Sequence, residues 1–247
     1  MMRLYDLRHG QVTDVEPARR RLLRMSVAAP AAGTLANLGD LRTFVVGDLI
    51  RRNAERARLV VQAGQDAGGA EDGAILGLRP PEESHLDGVI DVQVGGPDPG
   101  DRARHWTAAG VVRFDGDDAG DAGRHPVYLG DVSARGLDPL ALRLAFLQQP
   151  YRDALDLSWP ALAAADQALS AWRGQVAEWA THPSRPLSAP HAAEVTGAFD
   201  NDLFTPAALV TLRALADSPQ VPPGAKFETF AHLDQLLGLD LAREVGR

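Results

Sequence analysis

The chain of 247 residues contains no cysteine. This absence excludes disulfides, thiolate metal sites and any internal cysteine–histidine nucleophile. Lysine is almost as scarce, because among 25 basic residues only Lys226 is a lysine and it lies near the C-terminus. Any phosphate chemistry that relies on a mobile ammonium has none to draw on elsewhere, and arginine's planar fork does not replace it. No apolar run approaches the ~20 residues needed to span a bilayer. The N-terminus also lacks the charged, apolar and small-residue order of a secretory signal. A cytoplasmic protein with no membrane partner is expected. The net charge of −8 argues against a broad phosphate-binding surface, since nucleic-acid affinity is largely electrostatic.

What is present is a 45% hydrophobic chain, enough to bury one large core or two smaller ones. The first half reads as α/β. Met2–Tyr5 and Leu22–Ala28 are short strand candidates. Leu38–Arg52 carries Leu41, Phe44, Val45 and Leu49 at helical spacing, with arginines on the other face, and Arg58–Gln62 reads as a buried strand. Strand, helix, strand in that order implies a βαβ unit and a parallel sheet. Ala67–Ser84 and Asp115–Gly123 are rich in Gly, Ala and acidic residues and predict loops, with strands at Gly88–Val94 and Gly110–Asp115 between them. From Asp138 onward the pattern is helical. Asp138-Pro139, Ser158 with Pro160, Ser188 with Pro190 and Thr205 with Pro206 each predict a polar cap followed by an early proline. A last helix is expected over Lys226–Leu237, which makes the second half a helical bundle.

Several motifs carry a family resemblance. Met25 to Thr43, ending Asn-Leu-Gly-Asp-Leu-Arg-Thr, resembles the nucleotide-binding entry segment of cysteinyl-tRNA synthetases. Those enzymes place a Cys-Gly-Pro block and a His-Ile-Gly-Asn signature at this spacing. Asp91–Asp98 (Asp-Val-Gln-Val-Gly-Gly-Pro-Asp), Tyr128-Leu129-Gly130-Asp131 and the helical Leu137–Leu157 region are also similar. The same pattern occurs in the mycothiol cysteine ligases, which join cysteine to an amino sugar. On these residues the chain resembles a truncated, degenerate cysteinyl-tRNA synthetase-like protein. The resemblance implies an α/β fold: a class I synthetase-like Rossmann (HUP-type) parallel sheet followed by an all-α bundle. It divides the chain into a nucleotide-binding domain over 1–136 and a stem-contact-like bundle over 137–247, with the anticodon-binding domain absent.

The departures from the family bear on function. Ala28 stands at the zinc-binding cysteine, Asn37 at the first signature histidine and Asp40 at the signature asparagine. Where the family has its mobile lysines there is Arg124-His125-Pro126-Val127-Tyr128, preceded by Asp117, Asp118 and Asp121. Pyrophosphate-leaving chemistry needs positive charge around the triphosphate, and these carboxylates repel it. The family's tetrahedral zinc set does not survive at Ala28, His85 or Ala103–Thr107, so neither zinc nor a catalytic residue is expected. His85, His105 and His125 have no metal-motif spacing.

The piece that survives is Gly95-Gly96-Pro97-Asp98. In class I synthetases such a turn lets backbone approach a nucleoside while the carboxylate accepts from ribose hydroxyls. Glycine lacks the Cβ that would block that approach, and a carboxylate forms strong acceptor bonds. Asn37, Gly39, Gly95, Gly96 and Asp98 are therefore the candidate nucleotide-binding residues, for ATP or an AMP-type ligand. The plain alternative is a Gly-Pro-Asp turn that serves no ligand. Three functions stay open. One is a non-aminoacylating protein that binds an adenosine-containing molecule or a protein partner. Another is an amino-acid ligase with an activation site rebuilt from Arg124, Asn37 and Asp98. The last is a module that binds a tRNA acceptor stem through Arg135, Arg143, Arg152 and Arg173.

Overall fold

A computed structural model describes residues 2–31, 33–65, 70–115 and 126–247, with the side chains of 70 and 71 excepted. Strands β1 (Arg3–Asp6) and β2 (Gln11–Asp14) form an antiparallel hairpin. Next come β3 (Leu22–Val27), helix α1 (Leu38–Arg56) and β4 (Val60–Gln65), with β4 parallel to β3. After the short α2 (Ala70–Ile75), strands β5 (Ile90–Val94) and β6 (Ala103–Thr107) complete a parallel sheet of order β4-β3-β5-β6. The chain is α/β with a Rossmann-like sheet, as the sequence implies. The helix α2 lies inside the segment expected to be all loop. The β4 strand begins two residues later than expected because Arg58 takes a left-handed backbone, φ 63°, that ends α1.

Helix α1 forms because Asn37 caps it and its apolar residues recur on one face, burying Leu41, Phe44, Val45 and Leu49. It lies so close to the sheet that a Cβ on Gly47 would sit 2.6 Å from Val27 Cγ2. Arg42 is buried with these apolar residues, so the expectation that the helix's arginines lie on the other face is corrected for Arg42.

Beyond the sheet, β7 (Val112–Asp115) runs parallel to β8 (Leu155–Ser158). Around this pair lie α3 (Leu129–Ala134), α4 (Pro139–Leu147), α5 (Trp159–Ala180), α6 (Ala189–Asp200), α7 (Thr205–Asp217) and α8 (Pro223–Leu237). Asp138 and Ser158 cap as expected, accepting from Leu140 N at 2.8 Å and Ala161 N at 3.3 Å. The other two expected caps are different. Ser188 Oγ bonds His191 Nδ1 at 2.7 Å, and Thr205 is already helical and donates to Leu147 O at 2.8 Å. One hydrophobic core runs from Met25 and Leu41 through Leu142 and Leu169 to Phe230. A buried ionic knot binds α1 to the helices: Asp48 Oδ2 lies 2.6 Å from both Arg52 Nε and Arg143 Nη2, and Arg143 Nε donates to Leu237 O at 2.7 Å.

Candidate functional site

In this sheet β4 pairs on one side of β3 and β5 on the other. The direction of winding therefore reverses between the carboxyl ends of β3 and β5. Ligands of open parallel sheets bind in the crevice at such a reversal. The chain brings Ala28, Gly95 and the start of α1 together there. Ala28 N donates to Val94 O at 2.8 Å and Gly95 N to Thr107 O at 2.7 Å. Gly95 and Gly96 have φ of 72° and 74°, a left-handed region that disfavours any residue with a Cβ. A Cβ on Gly95 would meet Thr43 Cγ2 at 2.8 Å, and one on Gly96 would meet Ala28 Cβ at 3.3 Å.

The amino end of α1 is occupied by the chain itself. Asn37 Oδ1 accepts from Gly39 N at 2.8 Å and from Asp40 N at 3.2 Å, while Asp40 Oδ2 accepts from Asn37 N at 2.9 Å. This reciprocal capping box consumes donors that would otherwise greet an anion. Asn37 also forms an antiparallel bridge to Tyr128, whose backbone N donates to Asp131 Oδ2 at 2.8 Å at the start of α3. Two helix starts thus meet at the crevice, each closed by its own aspartate. Asn37 Oδ1 thus acts as an acceptor toward backbone.

Gly96, Pro97 and Asp98 form the exposed rim while Gly95 is buried. Asp98 Oδ1 accepts from Gly100 N at 2.9 Å and lies 3.3 Å from Arg8 Nε. Arg8 is held in turn through Nη2 to Ala103 O at 2.7 Å. The turn reading is thus correct in part, since Asp98 does stabilise its own loop. Both contacts fall on Oδ1, and the side chain is 54% exposed.

A buried polar network supports the crevice from behind. Tyr151 donates to Asp202 Oδ1 at 2.8 Å and lies 3.0 Å from Thr107 Oγ1. Because the phenol has one proton, the Thr107 hydroxyl must supply the other. Burial first, and Asp202 second, raise the phenol's pKa, which keeps it a neutral donor. Arg42, one turn into α1, donates to Gly110 O, Asp153 O and Pro150 O at 3.1, 2.6 and 2.9 Å. Burial pushes its pKa down to about 10, with the charge of Asp153 opposing the shift. Sequence reasoning missed Arg42, Thr107 and Asp202, which carry no motif of their own. Tyr151 was visible only as part of the family-like helical region, and Arg152 only there and among the arginines considered for RNA.

The remaining candidates are scattered. His85 Nε2 contacts Arg102 Nη2 at 2.7 Å. His105 is buried between Thr13 Oγ1 and Tyr5 O, at 3.4 and 3.3 Å. Among the described residues, no group of three or more His, Cys, Asp or Glu is arranged to hold a metal ion. Arg124, His125 and the aspartates at 117, 118 and 121 lie outside the described residues. Of the four arginines considered for RNA, Arg143 and Arg173 are buried, which corrects their reading as a contact surface. Arg135 stacks 3.9 Å over Trp159, and Arg152 lies 4.4 Å over Tyr5 and 2.9 Å from Asp202 Oδ2. No described helix is long and apolar enough to cross a membrane.

No family profile matches the chain. Individual curated proteins do. The L-cysteine:1D-myo-inositol 2-amino-2-deoxy-alpha-D-glucopyranoside ligase of Thermomonospora curvata is 33% identical over 144 residues, covering 56% of this chain and 34% of the ligase. The ligase of the same name from Thermobifida fusca is 32% identical over 146 residues, 58% of this chain and 34% of its own length. That of Acidothermus cellulolyticus is 29% identical over 178 residues, 64% of this chain and 42% of the ligase. The chain thus spans a third to two fifths of the length of these relatives.

Proposed function

Given its kinship with the cysteinyl-tRNA synthetase-like cysteine ligases, we propose that this chain is a binding protein that does not aminoacylate tRNA. Its ligand is a small adenosine-containing molecule held at the Gly95–Asp98 turn, with Asn37 and Gly39 at the facing end of α1. The observation that carries this reading is the closed amino end of α1. Asn37 accepts from Gly39 N and Asp40 N, Asp40 accepts from Asn37 N, and Asp40 and Asp131 add negative charge where a triphosphate would rest. Asp98, held through Oδ1 on an exposed side chain, suits ribose hydroxyls. This reading assigns ligand binding to residues 1–136 and a supporting, stem-contact-like role to the helices of 137–247.

Thermal-shift titration with adenosine, AMP, ATP and a non-hydrolysable cysteinyl-adenylate analogue tests the proposal, since a ligand that binds the native state raises the Tm by mass action. AMP and the analogue are expected to raise the Tm, ATP no more than AMP, and Asp98→Ala to abolish the shifts. Absence of any shift would point instead to a protein partner. The names of the relatives favour a second reading, an ATP-dependent ligase for a cysteine-type amino acid with a rebuilt activation site. Robust ATP–pyrophosphate exchange with a single amino acid would establish it and overturn the first.

A further inference from the structure

The opposite end of α1 carries a different chemistry. Between its last turns, the segment around Arg79 and the end of α8 lies a cavity of about 290 Å³, lined by Arg52, Glu55, Arg56, Arg79, His232 and Gln235. Three guanidiniums and an imidazole line it beside one carboxylate, in a chain whose net charge is −8. Each guanidinium also has a carboxylate partner, Arg52 with Asp48, Arg56 with Asp200 and Arg79 with Glu55. The local carboxylates are already shared. Glu55 serves Arg51 through Oε1 at 3.0 Å and Arg79 through Oε2, and Asp48 serves Arg52 and Arg143 through the same oxygen. Asp200 serves Arg56, whose Nε also donates to Asn53 Oδ1 at 3.0 Å, so an anion would add to or displace that partner. Arg52 is further pinned to Gln235 O at 3.0 Å and Gly77 O at 2.7 Å, so the floor of the cavity is rigid. Arg56 and Arg79 are partly exposed above it, and His232 is exposed.

From this arrangement we propose that the cavity is a second, independent binding site for a small phosphate-bearing anion, gripped by Arg79, Arg56 and His232. Guanidinium forks match phosphate oxygens two at a time, and such charge-assisted bonds are roughly twice as strong as neutral ones. The Arg79 guanidinium is held below arginine's ordinary pKa, first by burial and then by its neighbour Arg52, with Arg51 and Arg143 adding to the repulsion. A bound anion relieves that repulsion. A cavity of this size in an otherwise acidic chain favours a small anion over a polyanion, which the rest of the surface repels. The site stands apart from the Gly95–Asp98 turn by the length of α1, whose 19 residues span about 28 Å at the usual helical rise.

Isothermal titration of the full chain with inorganic phosphate and pyrophosphate, at constant ionic strength, tests the site. Saturable binding is expected. Arg79→Gln should weaken it about tenfold, the loss of one hydrogen bond to a charged group. The exposed His232→Ala, which removes no buried contact, should weaken it as well if Arg79→Gln fails to fold. Asp98→Ala should leave it unchanged, so its failure and that of the adenosine site are distinguishable. Non-saturable heats, or binding unaffected by both cavity variants, would overturn the proposal. So would a stronger response to a single-stranded RNA oligonucleotide than to pyrophosphate in the same buffer.

Discussion

Replacing Gly95 with alanine tests the construction of the crevice at a single atom. The backbone at φ 72° costs a residue with a Cβ about 1–2 kcal/mol. The new methyl would also lie 2.8 Å from Thr43 Cγ2, too close to coexist. Relief requires Thr43 to turn, and Thr43 is β-branched and donates to Gly39 O at 3.0 Å. Losing that bond adds about 1 kcal/mol, for a total near 2–3 kcal/mol. In a chain of this size the Tm should fall by roughly 4–12 °C. Thr43→Ser keeps the hydroxyl and removes the obstructing methyl. In that background Gly95→Ala should therefore cost only its backbone share, leaving a coupling of about 1 kcal/mol in the double-mutant cycle measured by urea unfolding. A cost for Gly95→Ala below about 0.5 kcal/mol, or an equal cost in both backgrounds, would refute the contact between the turn and α1.

Asp48→Asn leaves the buried Arg143 without its counter-charge and should destabilise the chain by about 3–5 kcal/mol, read from denaturant midpoints. The neighbouring guanidiniums, Arg143 before Arg52, hold Asp48 below the usual carboxylate range against the cost of burial. Its contribution is therefore present above the unfolded pKa and lost as pH falls through the folded one, and the variant should lack that acid-limb loss. His105 has its pKa lowered, chiefly by burial, with Asp6 opposing. The unfolded state then binds the proton more readily, so stability should fall as pH drops below about 6.5. His105→Gln should flatten this slope in pH-dependent melting. Asn37→Ala removes the cap of α1 and should cost about 1 kcal/mol. A loss below a few tenths would mean that the Asn37 amide leaves the helix end open.

Much of the fold was legible because it rests on local signals. The apolar period of α1 and the early prolines at 139, 160, 190 and 206 act within a few residues, and the helices start where those signals lie. What escaped was decided at long range. The strand β8 is four residues long and exists because β7 pairs with it. Thr205 is drawn from its expected capping role by a carbonyl 58 residues away, at Leu147. At the site, Gly95 and Gly96 take left-handed backbones just after β5, as a glycine pair allows. Sequence spacing alone does not reveal that Asn37 and Asp40 turn inward to cap each other. Nor does it show that Arg42 and Arg143, ordinary helical arginines by pattern, are buried against carbonyls and a carboxylate.

The opening hairpin of the chain depends on residues made much later. Tyr5 N donates to Asp202 Oδ1, 197 residues away, and Asp202 N donates to Arg3 O. At about 5–20 residues per second, a ribosome needs roughly 10–40 s to deliver that partner. Until then the first strand waits with two of its backbone groups unanswered. The hairpin can pair within itself earlier, but its tie to the helices closes only when the turn between α6 and α7 emerges.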